Sequence, residues 1–245
     1  MIVATGAHRI PKVPDFAAEL DPRVVQMHSS EYRAPTQLAD GDVLVVGAGN
    51  SGAEIAYELV QTRRCLLAGK SSGQIPVPHG SLRFRPGFRA FRFFMHRIVR
   101  VDTRLGRKLA PELLAHADPL IRRREKDLQA VGIERVERVA GVQDGLPVLE
   151  DGRVVDAANV IWCTGYRNEF SWIDLPVFDG DGRPQHYRGV VESEPGLYFL
   201  GLVFQYSASS DVLPSRGRDA RYIAKHIASS RREARAVEPA KVLAV

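Results

Sequence analysis

Cysteine is scarce in this chain of 245 residues, because Cys65 and Cys163 are the only two and both stand in apolar stretches. Two distant cysteines do not form the framework of a disulfide-rich protein, a cysteine-based zinc cage or a Cys-x-x-Cys redox pair. The seven histidines lack the paired spacing of a zinc site. We therefore expect neither a bound metal nor thiol chemistry.

Long hydrophobic runs are missing as well. No apolar stretch approaches the ~20 residues that are needed to cross a bilayer, so we expect no membrane span. The first residues lack the charged, apolar and small-residue zones of a secretion signal. With 44% hydrophobic and 26% charged residues, the composition is that of a globular protein with a substantial core. These features predict a cytoplasmic protein.

Acidic residues are absent from the window 59–101, which contains nine Arg and Lys. The formal net charge of +5 has no zinc-finger or RNP-type signature beside it, so we expect no nucleic-acid partner. The window is predicted to contain a solvated basic face or, near its start, an anion site.

Within this window, Phe88 to Val101 combines aromatic and aliphatic residues with arginines at helical spacing. We favour a helix that simply packs on its own domain. The two alternatives are an amphipathic helix that covers the cofactor cleft and a helix that lies on a membrane surface. The helical pattern continues to Gln129, with breaks expected at Gly106, Pro111 and Pro119, and a final helix is expected from about Arg218.

The stretch from Asp42 to Val60 reads DVLVVGAGNSGAEIAYELV. The apolar run Val43 to Val46 is typical of a parallel strand that is buried on both faces. A glycine turn follows, and apolar residues then recur on one face of a helix. With a further strand at Cys65 to Ala68, residues 42–68 form a βαβ unit of about 30 residues.

Gly47, Gly49 and Gly52 follow the G-x-G-x-x-G spacing inside this unit. The glycines allow a tight turn, a close approach of backbone to a diphosphate and close packing of helix on strand. Amides at the start of the helix, together with its dipole, attract an anion. The pattern predicts a dinucleotide site that includes Asn50 and Ser51. A purely structural glycine turn is the weaker alternative.

The end of the second strand of the unit decides which coenzyme fits. An NAD site usually places an acidic side chain there, about 20 residues beyond the glycines, for the ribose 2′-hydroxyl. This chain instead has Lys70, Ser71 and Ser72, with Arg63 and Arg64 behind them. A cation and two hydroxyls can bind a 2′-phosphate, so we expect NADP(H). The alternative is that Lys70 is an ordinary exposed lysine.

Six sequence matches, one of which contains the glycine turn, span nearly the whole chain in a fixed order. They are VATG (3–6), QMHSSEYRAP (26–35), VVGAGNSGAEIA (45–56), WCTGYRNEFSWI (162–173), PGLYFLGL (195–202) and GRDARYIAKHI (217–227). Together they resemble the class B flavoprotein monooxygenases, which include flavin-containing monooxygenases, Baeyer–Villiger monooxygenases and plant auxin-forming enzymes.

This resemblance implies an α/β fold in which a Rossmann-like NADP-binding domain is inserted in an incomplete FAD-binding Rossmann-like domain. Two Thr-Gly segments, Thr5-Gly6 and Thr164-Gly165, would join the domains and contact cofactor. The implied domains are residues 1–32 as flavin-domain remnant and linker, 33–165 as NADP-binding domain, and 166–245 as the carboxy-terminal part of the flavin domain.

The family's first glycine loop holds the ADP half of FAD and precedes the segment that resembles residues 2–6. It is absent from this sequence. The resemblance therefore implies the carboxy-terminal part of a longer enzyme, with an incomplete FAD site and an isolated chain that is inactive. A chain or segment that contains the missing FAD motif would be its partner.

In the resembled family, NADPH reduces FAD, and oxygen activated on the flavin is transferred to a soft nucleophile or a carbonyl of a small molecule. The cofactor performs this chemistry, so no side chain is predicted to be catalytic. Segments 205–210 and 218–220 resemble the part that closes over the flavin ring, with an ordinary helix cap as the alternative.

The family fingerprint is only half present. His28 and Tyr32 match it, whereas Pro22 and Val24 replace its Phe and Gly. We favour a hydrogen-bonded loop histidine for His28 over a linker residue that helps domain and cofactor movement.

The predicted function is that of an NADPH- and FAD-dependent monooxygenase. The alternative is a non-catalytic module that binds NADP. A disulfide reductase is disfavoured by the cysteine count.

Overall fold

The computed structural model describes residues 1–6, 9–75, 81, 84–115 and 119–237. The strands are β1 Ile2–Val3, β2 Ile10–Pro11, β3 Val25–His28, β4 Val43–Val46, β5 Cys65–Ala68, β6 Glu134–Val136, β7 Val139–Gln143, β8 Leu146–Leu149, β9 Asn159–Trp162, β10 Tyr166–Arg167 and β11 Tyr198–Phe199. The helices are α1 Asn50–Leu59, α2 Phe84–Arg97, α3 Arg104–Ala115, α4 Glu125–Ala130 and α5 Leu213–Val237, and 3₁₀ turns occur at Asp15–Glu19 and Pro35–Gln37.

Contacts divide the chain into two compact units. The first unit comprises Met1–Arg9, Arg89–Ala115 and Asn168–Val245, and the second comprises Ile10–Phe88 and His116–Arg167. These units differ from the predicted domains, because residues 10–32 belong to the second unit and residues 89–115 to the first. The assignment of NADP-binding and flavin domains stays a prediction.

The second unit is built on a five-stranded parallel sheet with the order β3-β9-β4-β5-β6. Every residue of β4, β5 and β9 is buried, as expected for central strands that are covered on both faces. Helix α1 connects β4 to β5, which confirms the predicted βαβ unit. The carboxyl ends of the five strands share one edge, where α/β proteins bind their ligands.

Alternate residues of the central strands pack into two separate cores. On one face, Val43, Val45 and Leu67 contact Ala53 and Ala56 of α1. On the other face, a second buried cluster is formed by Leu44, Val46, Leu66, Val160 and Trp162. Because burial of one large aliphatic side chain stabilises a fold by about 1.5–3 kcal/mol, the two cores fix the register of the sheet.

The first unit contains the parallel pair β1 and β11, in which Val3 lies beside Phe199. Both residues belong to a buried cluster with Phe170, Val177 and Val191. The last helix, α5, begins at Leu213, five residues earlier than the sequence pattern indicated.

Two expected helix breaks were wrong, because Gly106 and Pro111 lie inside α3. A Cβ at Gly106 would overlap the carbonyl oxygen of Arg100, so glycine is needed there for close packing rather than for a turn. The Thr103 hydroxyl accepts a hydrogen bond from the Gly106 amide at 3.0 Å and caps the helix. Proline at position 111 removes one backbone donor, and the helix continues past it.

A search of the described helices found none that combines the length and the apolar character needed to cross a bilayer.

Asn159 in β9 joins the sheet to the segment before β4. Its side-chain oxygen accepts from the Ala39 amide at 2.9 Å, and its nitrogen donates to the carbonyl oxygens of Ala39 at 3.0 Å and Asp42 at 3.3 Å. Asn159 is fully buried, so its removal would leave buried backbone groups without partners.

We predict that Asn159→Ala lowers the free energy of unfolding by about 1–3 kcal/mol, measured by urea denaturation followed by circular dichroism. Asn168→Ala, at an exposed position, is the matched control and should leave stability unchanged. Equal stability of the two variants would contradict the prediction.

Candidate functional site

The glycine turn after β4 leaves no space for side chains at two of its glycines. Gly47 has a φ of +111°, in the left-handed range that favours glycine. A Cβ at Gly47 would overlap the carbonyl oxygen of Cys163, and a Cβ at Gly52 would overlap the carbonyl oxygen of Gly47. Both glycines are therefore required for α1 to lie this close to the sheet.

The start of α1 presents backbone amides without a side-chain cap. Gly49 is the N-cap residue and has no side chain to bond the amides of the first turn. Ser51, in that turn, is exposed. Amides at such a helix start, together with the helix dipole, bind phosphate groups. The turn can therefore hold a diphosphate.

The side chain of Asn50 binds the protein's own backbone. Its nitrogen donates to the carbonyl oxygen of Pro119 at 3.1 Å, and its oxygen accepts from the Ile121 amide at 3.0 Å. These bonds fasten segment 119–121 to the start of α1. A coenzyme contact at Asn50 would thus use its backbone amide.

A cavity of about 410 Å³ lies beside the glycine turn. Its wall includes the predicted residues Gly47, Lys70 and Thr164, together with Lys12 and Arg138. The described residues that line it include no Asp or Glu. The volume lies within the range of small-molecule sites, and three cations favour an anionic ligand.

Sequence analysis missed Lys12 and Arg138. Lys12 follows β2, which pairs with β10 just beyond Thr164. Arg138 follows β6, the strand beside β5. The position of Arg138 after a strand was a usable signal, because carboxyl ends of parallel strands meet at one edge. The position of Lys12 depends on strand pairing that the sequence does not indicate.

The loop after β5 contains the predicted residues Ser71 and Ser72, which lie outside the cavity wall. The Ser72 hydroxyl is buried and has no hydrogen-bond partner among the described residues. Arg135 of β6 donates to the Gly69 carbonyl oxygen at 2.7 Å and pairs with Glu125 at 2.9 Å. One Nη atom of Arg135 is likewise buried without a described partner. Unpartnered donors at this strand end suit a ligand with strong acceptor oxygens.

The second Thr-Gly segment is held from two sides. The Thr164 hydroxyl donates to the Lys12 carbonyl oxygen, and the Lys12 amide donates to the Gly165 carbonyl oxygen at 2.9 Å. His28 Nε2 lies 3.0 Å from the same Gly165 oxygen, while its Nδ1 accepts from the Ser30 amide at 3.1 Å. The imidazole proton therefore resides on Nε2, which donates to Gly165. His28 is hydrogen-bonded, as expected, but it is the last residue of β3 rather than a loop residue.

Thr5 and Gly6 follow β1 in the first unit. Gly6 has a φ of +76°, and Thr5 is exposed. The two residues that follow them lie outside the described part of the chain. The role of this segment as a joint stays a prediction.

A buried polar cluster lies at the start of α5 in the first unit. Ser215 donates to the Ser209 hydroxyl at 2.9 Å, and the Ser209 and Ser207 hydroxyls lie 3.3 Å apart. His96 of α2 approaches Ser215 at 3.1 Å and Ser209 at 3.3 Å. Arg218 donates to Ser207 at 2.9 Å. The cluster joins α2 to the segment that resembles the flavin-covering part of the family.

Asp219 adds an unpartnered acceptor to this cluster. It is 1% exposed, and one carboxylate oxygen accepts from Arg218 Nε at 3.1 Å. The other oxygen is buried and has no hydrogen-bond partner among the described residues. A buried carboxylate oxygen without a partner is costly unless a ligand donor reaches it. A polyol hydroxyl, such as one of the ribityl chain of a flavin, would fit.

Burial shifts the pKa values of several ionisable groups in these regions. Burial, and then the neighbouring Arg218, lower the pKa of His96. Burial raises the pKa of the free thiols Cys65 and Cys163 to about 12. The imidazole is therefore neutral near neutral pH, and the thiols are not nucleophilic there. No cluster of metal-binding side chains was found within the described ranges.

Known proteins share this sequence pattern. Residues 1–74 match the family described as pyridine nucleotide-disulphide oxidoreductase. The chain is 36% identical over 233 residues to an uncharacterized CzcO-like oxidoreductase of Geobacillus kaustophilus. It is 33% identical over 229 residues to an uncharacterized CzcO oxidoreductase of Bacillus subtilis. Each alignment covers 93% of this chain and 64% of the relative, so the chain spans less than two thirds of their length.

Solved structures share the fold. A variant flavin monooxygenase from Stenotrophomonas maltophilia matches 94% of this chain and 62% of its own, with a TM-score of 0.67 at 21% identity. The Kutzneria ornithine N-hydroxylase was solved with reduced FAD, NADP⁺ and L-ornithine. It matches 94% of this chain and 63% of its own, with a TM-score of 0.60 at 19% identity. The chain is thus similar in sequence to the CzcO-like oxidoreductases and shares its fold with flavin monooxygenases.

The shared fold confirms the predicted Rossmann-like α/β architecture and agrees with the resemblance drawn from the six segments. A cyclohexanone monooxygenase from Rhodococcus, bound to NADP⁺, also shares this fold, with a TM-score of 0.59 at 15% identity over 94% of this chain and 60% of that one. The individual site residues of this chain stay predictions.

The lowered pKa of His96 predicts a pH dependence of stability. As the pH falls below about 6.5, the unfolded chain takes up a proton at this imidazole while the folded chain resists it, so the free energy of unfolding falls. His96→Gln should reduce this loss in urea midpoints compared between about pH 7.5 and about pH 5.5. His186, whose pKa is also lowered by burial, contributes to the pH dependence of stability that remains in the variant. An identical pH dependence in the variant would contradict the prediction.

The raised pKa values of Cys65 and Cys163 predict inert thiols. At about pH 8, Ellman's reagent should release no colour from the folded chain within minutes, because the thiolate fraction is very small. After denaturation both thiols should react. Rapid reaction of either thiol in the folded chain would contradict the prediction.

Proposed function

We propose that this chain binds NADP(H) and that the protein it represents is an NADPH- and FAD-dependent monooxygenase. The observation that supports NADP(H) most is the combination of uncapped α1 amides with a cavity lined by Lys12, Lys70 and Arg138. The first feature suits a diphosphate, and the second suits a further phosphate.

The coenzyme residues follow from this geometry. The amides of Gly47, Gly49, Asn50, Ser51 and Gly52 would hold the diphosphate. The 2′-phosphate would lie near Lys70, Ser71 and Ser72, where the unpartnered Ser72 hydroxyl and the Arg135 guanidinium offer further donors. The domain assignment 33–165 for NADP binding is part of this proposal.

FAD would contact the first unit and the Thr-Gly segments. Asp219 would accept a hydroxyl of the cofactor with its unpartnered oxygen, while Arg218 and the serine cluster hold the carboxylate in place. Thr5-Gly6 and Thr164-Gly165 would contact cofactor at the joints. When bound, FAD supplies the redox chemistry and the activation of oxygen. The protein residues position it and exclude water.

The names of relatives support the reaction class. The Kutzneria enzyme holds FAD and NADP⁺, and a protein of Arabidopsis thaliana, 27% identical over 246 residues, is a probable indole-3-pyruvate monooxygenase. That alignment covers 87% of this chain and 55% of the plant protein. We infer a small-molecule substrate with a soft nucleophile or a carbonyl, a cytoplasmic location, and an FAD site completed by a further chain or segment.

A non-catalytic NADP-binding module is the second candidate. The observation in its favour is that the glycine turn and all described residues that line its cavity belong to the second unit. Such a module would bind NADPH without oxidising it.

Coenzyme titration tests the NADP(H) site. NADPH should bind the chain more tightly than NADH, and Gly52→Ala should weaken NADPH binding by about tenfold or more, because the added Cβ forces α1 away from the glycine turn. Lys70→Met should reduce the preference for NADPH over NADH by about tenfold. Gly141→Ala, where a Cβ meets open space, is the control. Preference for NADH, or no binding of either coenzyme, would refute the proposal.

The monooxygenase and the module differ in a second assay. The assay uses the protein together with the further chain or segment that completes its FAD site. If it is a monooxygenase, it should bind added FAD and oxidise NADPH in the presence of oxygen. NADPH binding without flavin binding or oxidation in that protein would establish the module instead. Asp219→Asn should weaken flavin binding and leave NADPH binding unchanged.

A further inference from the structure

One side of helix α2 exposes large apolar residues, which is unusual for a helix on a protein surface. His96 bonds to Ser209 and Ser215, which identifies the inward side. Since successive helical residues are rotated by about 100°, Phe94 and the residue at position 98 lie on the opposite side. None of the residues that the structure describes in α2 is buried.

Phe94 and Ile98 occupy this outward side, and Phe93 lies next to it, about 60° from His96 around the helix axis. Phe93 is 61% exposed, Phe94 is 42% exposed and Ile98, just beyond the helix, is 41% exposed. Arg97 projects between Phe93 and Phe94 at helical spacing and is exposed too. Single exposed apolar residues are ordinary, but three that adjoin on one helical face indicate an interaction surface.

The charge of the segment has one sign. Helix α2 contains four arginines and no Asp or Glu, and the longer range 84–108 contains eight Arg and Lys against the single acid Asp102. That acid is already paired with Arg100 at 2.9 Å. The surface therefore attracts polyanions strongly.

We propose that the outward face of α2, formed by Phe93, Phe94, Arg97 and Ile98, docks on the surface of an anionic lipid bilayer. The aromatic side chains would enter the boundary between headgroups and acyl chains, and Arg97 would bind a lipid phosphate. A soluble polyanion would pair with the arginine and leave the phenylalanines in water. An anionic bilayer can both pair with the arginine and bury the phenylalanines. This inference does not depend on the proposed coenzyme chemistry.

Co-sedimentation of the full chain with vesicles tests the proposal. Vesicles that contain phosphatidylglycerol should pull down the chain, and vesicles of pure phosphatidylcholine should do so much less. Binding should fall as salt is added, because exposed charges are screened. Centrifugation without vesicles measures any self-association and is subtracted.

Variants separate the two contributions. Phe93→Ser with Phe94→Ser should lower the partition coefficient about tenfold or more. Arg97→Gln should lower binding to anionic vesicles about fivefold. The matched controls are Trp172→Ser, at an aromatic residue that is 47% exposed elsewhere in the first unit, and Lys126→Gln, at an exposed lysine of α4. Both should bind like the parent chain, and thermal unfolding confirms that all variants are folded.

A fluorescence measurement gives an independent readout. In the chain with Trp172→Phe and Phe94→Trp, the other tryptophan, Trp162, is only 1% exposed, so changes report position 94. Emission should shift to shorter wavelength when anionic vesicles are added. An unshifted spectrum, binding that the double Phe substitution does not reduce, or salt-sensitive binding to poly-glutamate or an oligonucleotide without binding to vesicles would overturn the proposal.

Discussion

The close approach of α1 to the central strand depends on one steric constraint, the absence of a side chain at Gly52 where the helix meets the Gly47 carbonyl oxygen. Behind it, Ala53 and Ala56 keep the helix close along its length, since their small side chains are fully buried against the sheet. Because the helix lies so near, its first amides reach the edge where the strands end. The proposed diphosphate site at the start of α1 depends on this contact.

Some basic residues of the second unit are ion-paired, and others line a cavity without an acidic residue among its described lining. Arg64 is neutralised by Asp42 at 2.9 Å and Glu134 at 2.7 Å and fastens strand ends on the outside. Lys12 and Lys70, in contrast, face a cavity whose described lining has no acid. A net charge that is modest overall is thus concentrated where a ligand would add negative charge.

Much of this organisation could be predicted from the sequence, because local patterns determine it. The run Val43 to Val46, the glycine spacing and the helix after it produce the βαβ unit directly. Arg63 and Arg64 were expected to support Lys70, but Arg63 donates to the Ala39 carbonyl oxygen and Arg64 forms its two ion pairs. The groups that pair with these two arginines lie 20 or more residues away in the sequence. No local sequence pattern therefore indicates whether an arginine is free to bind a ligand.

The polar cluster of the first unit was only partly foreseeable. The segment with Asp219 was identified by resemblance, whereas His96 was hidden in a basic amphipathic helix and its serine partners lie more than 110 residues away. Gly106 was misjudged for a related reason. A glycine that permits close packing and a glycine that ends a helix look the same in a sequence, and only the neighbouring backbone of Arg100 distinguishes them.

The short antiparallel ribbon of β2 and β10 places Ile10 beside Arg167, at the first and last residues of the second unit. A stretch of chain whose two ends already meet can be added to or removed from a host protein with a small loss of loop entropy. The ribbon therefore closes the stretch 10–167, which contains the second unit and residues 89–115 of the first, at a single junction. In evolution, a stretch of this kind can move between hosts by a pair of recombination events without rebuilding the sheet it contains.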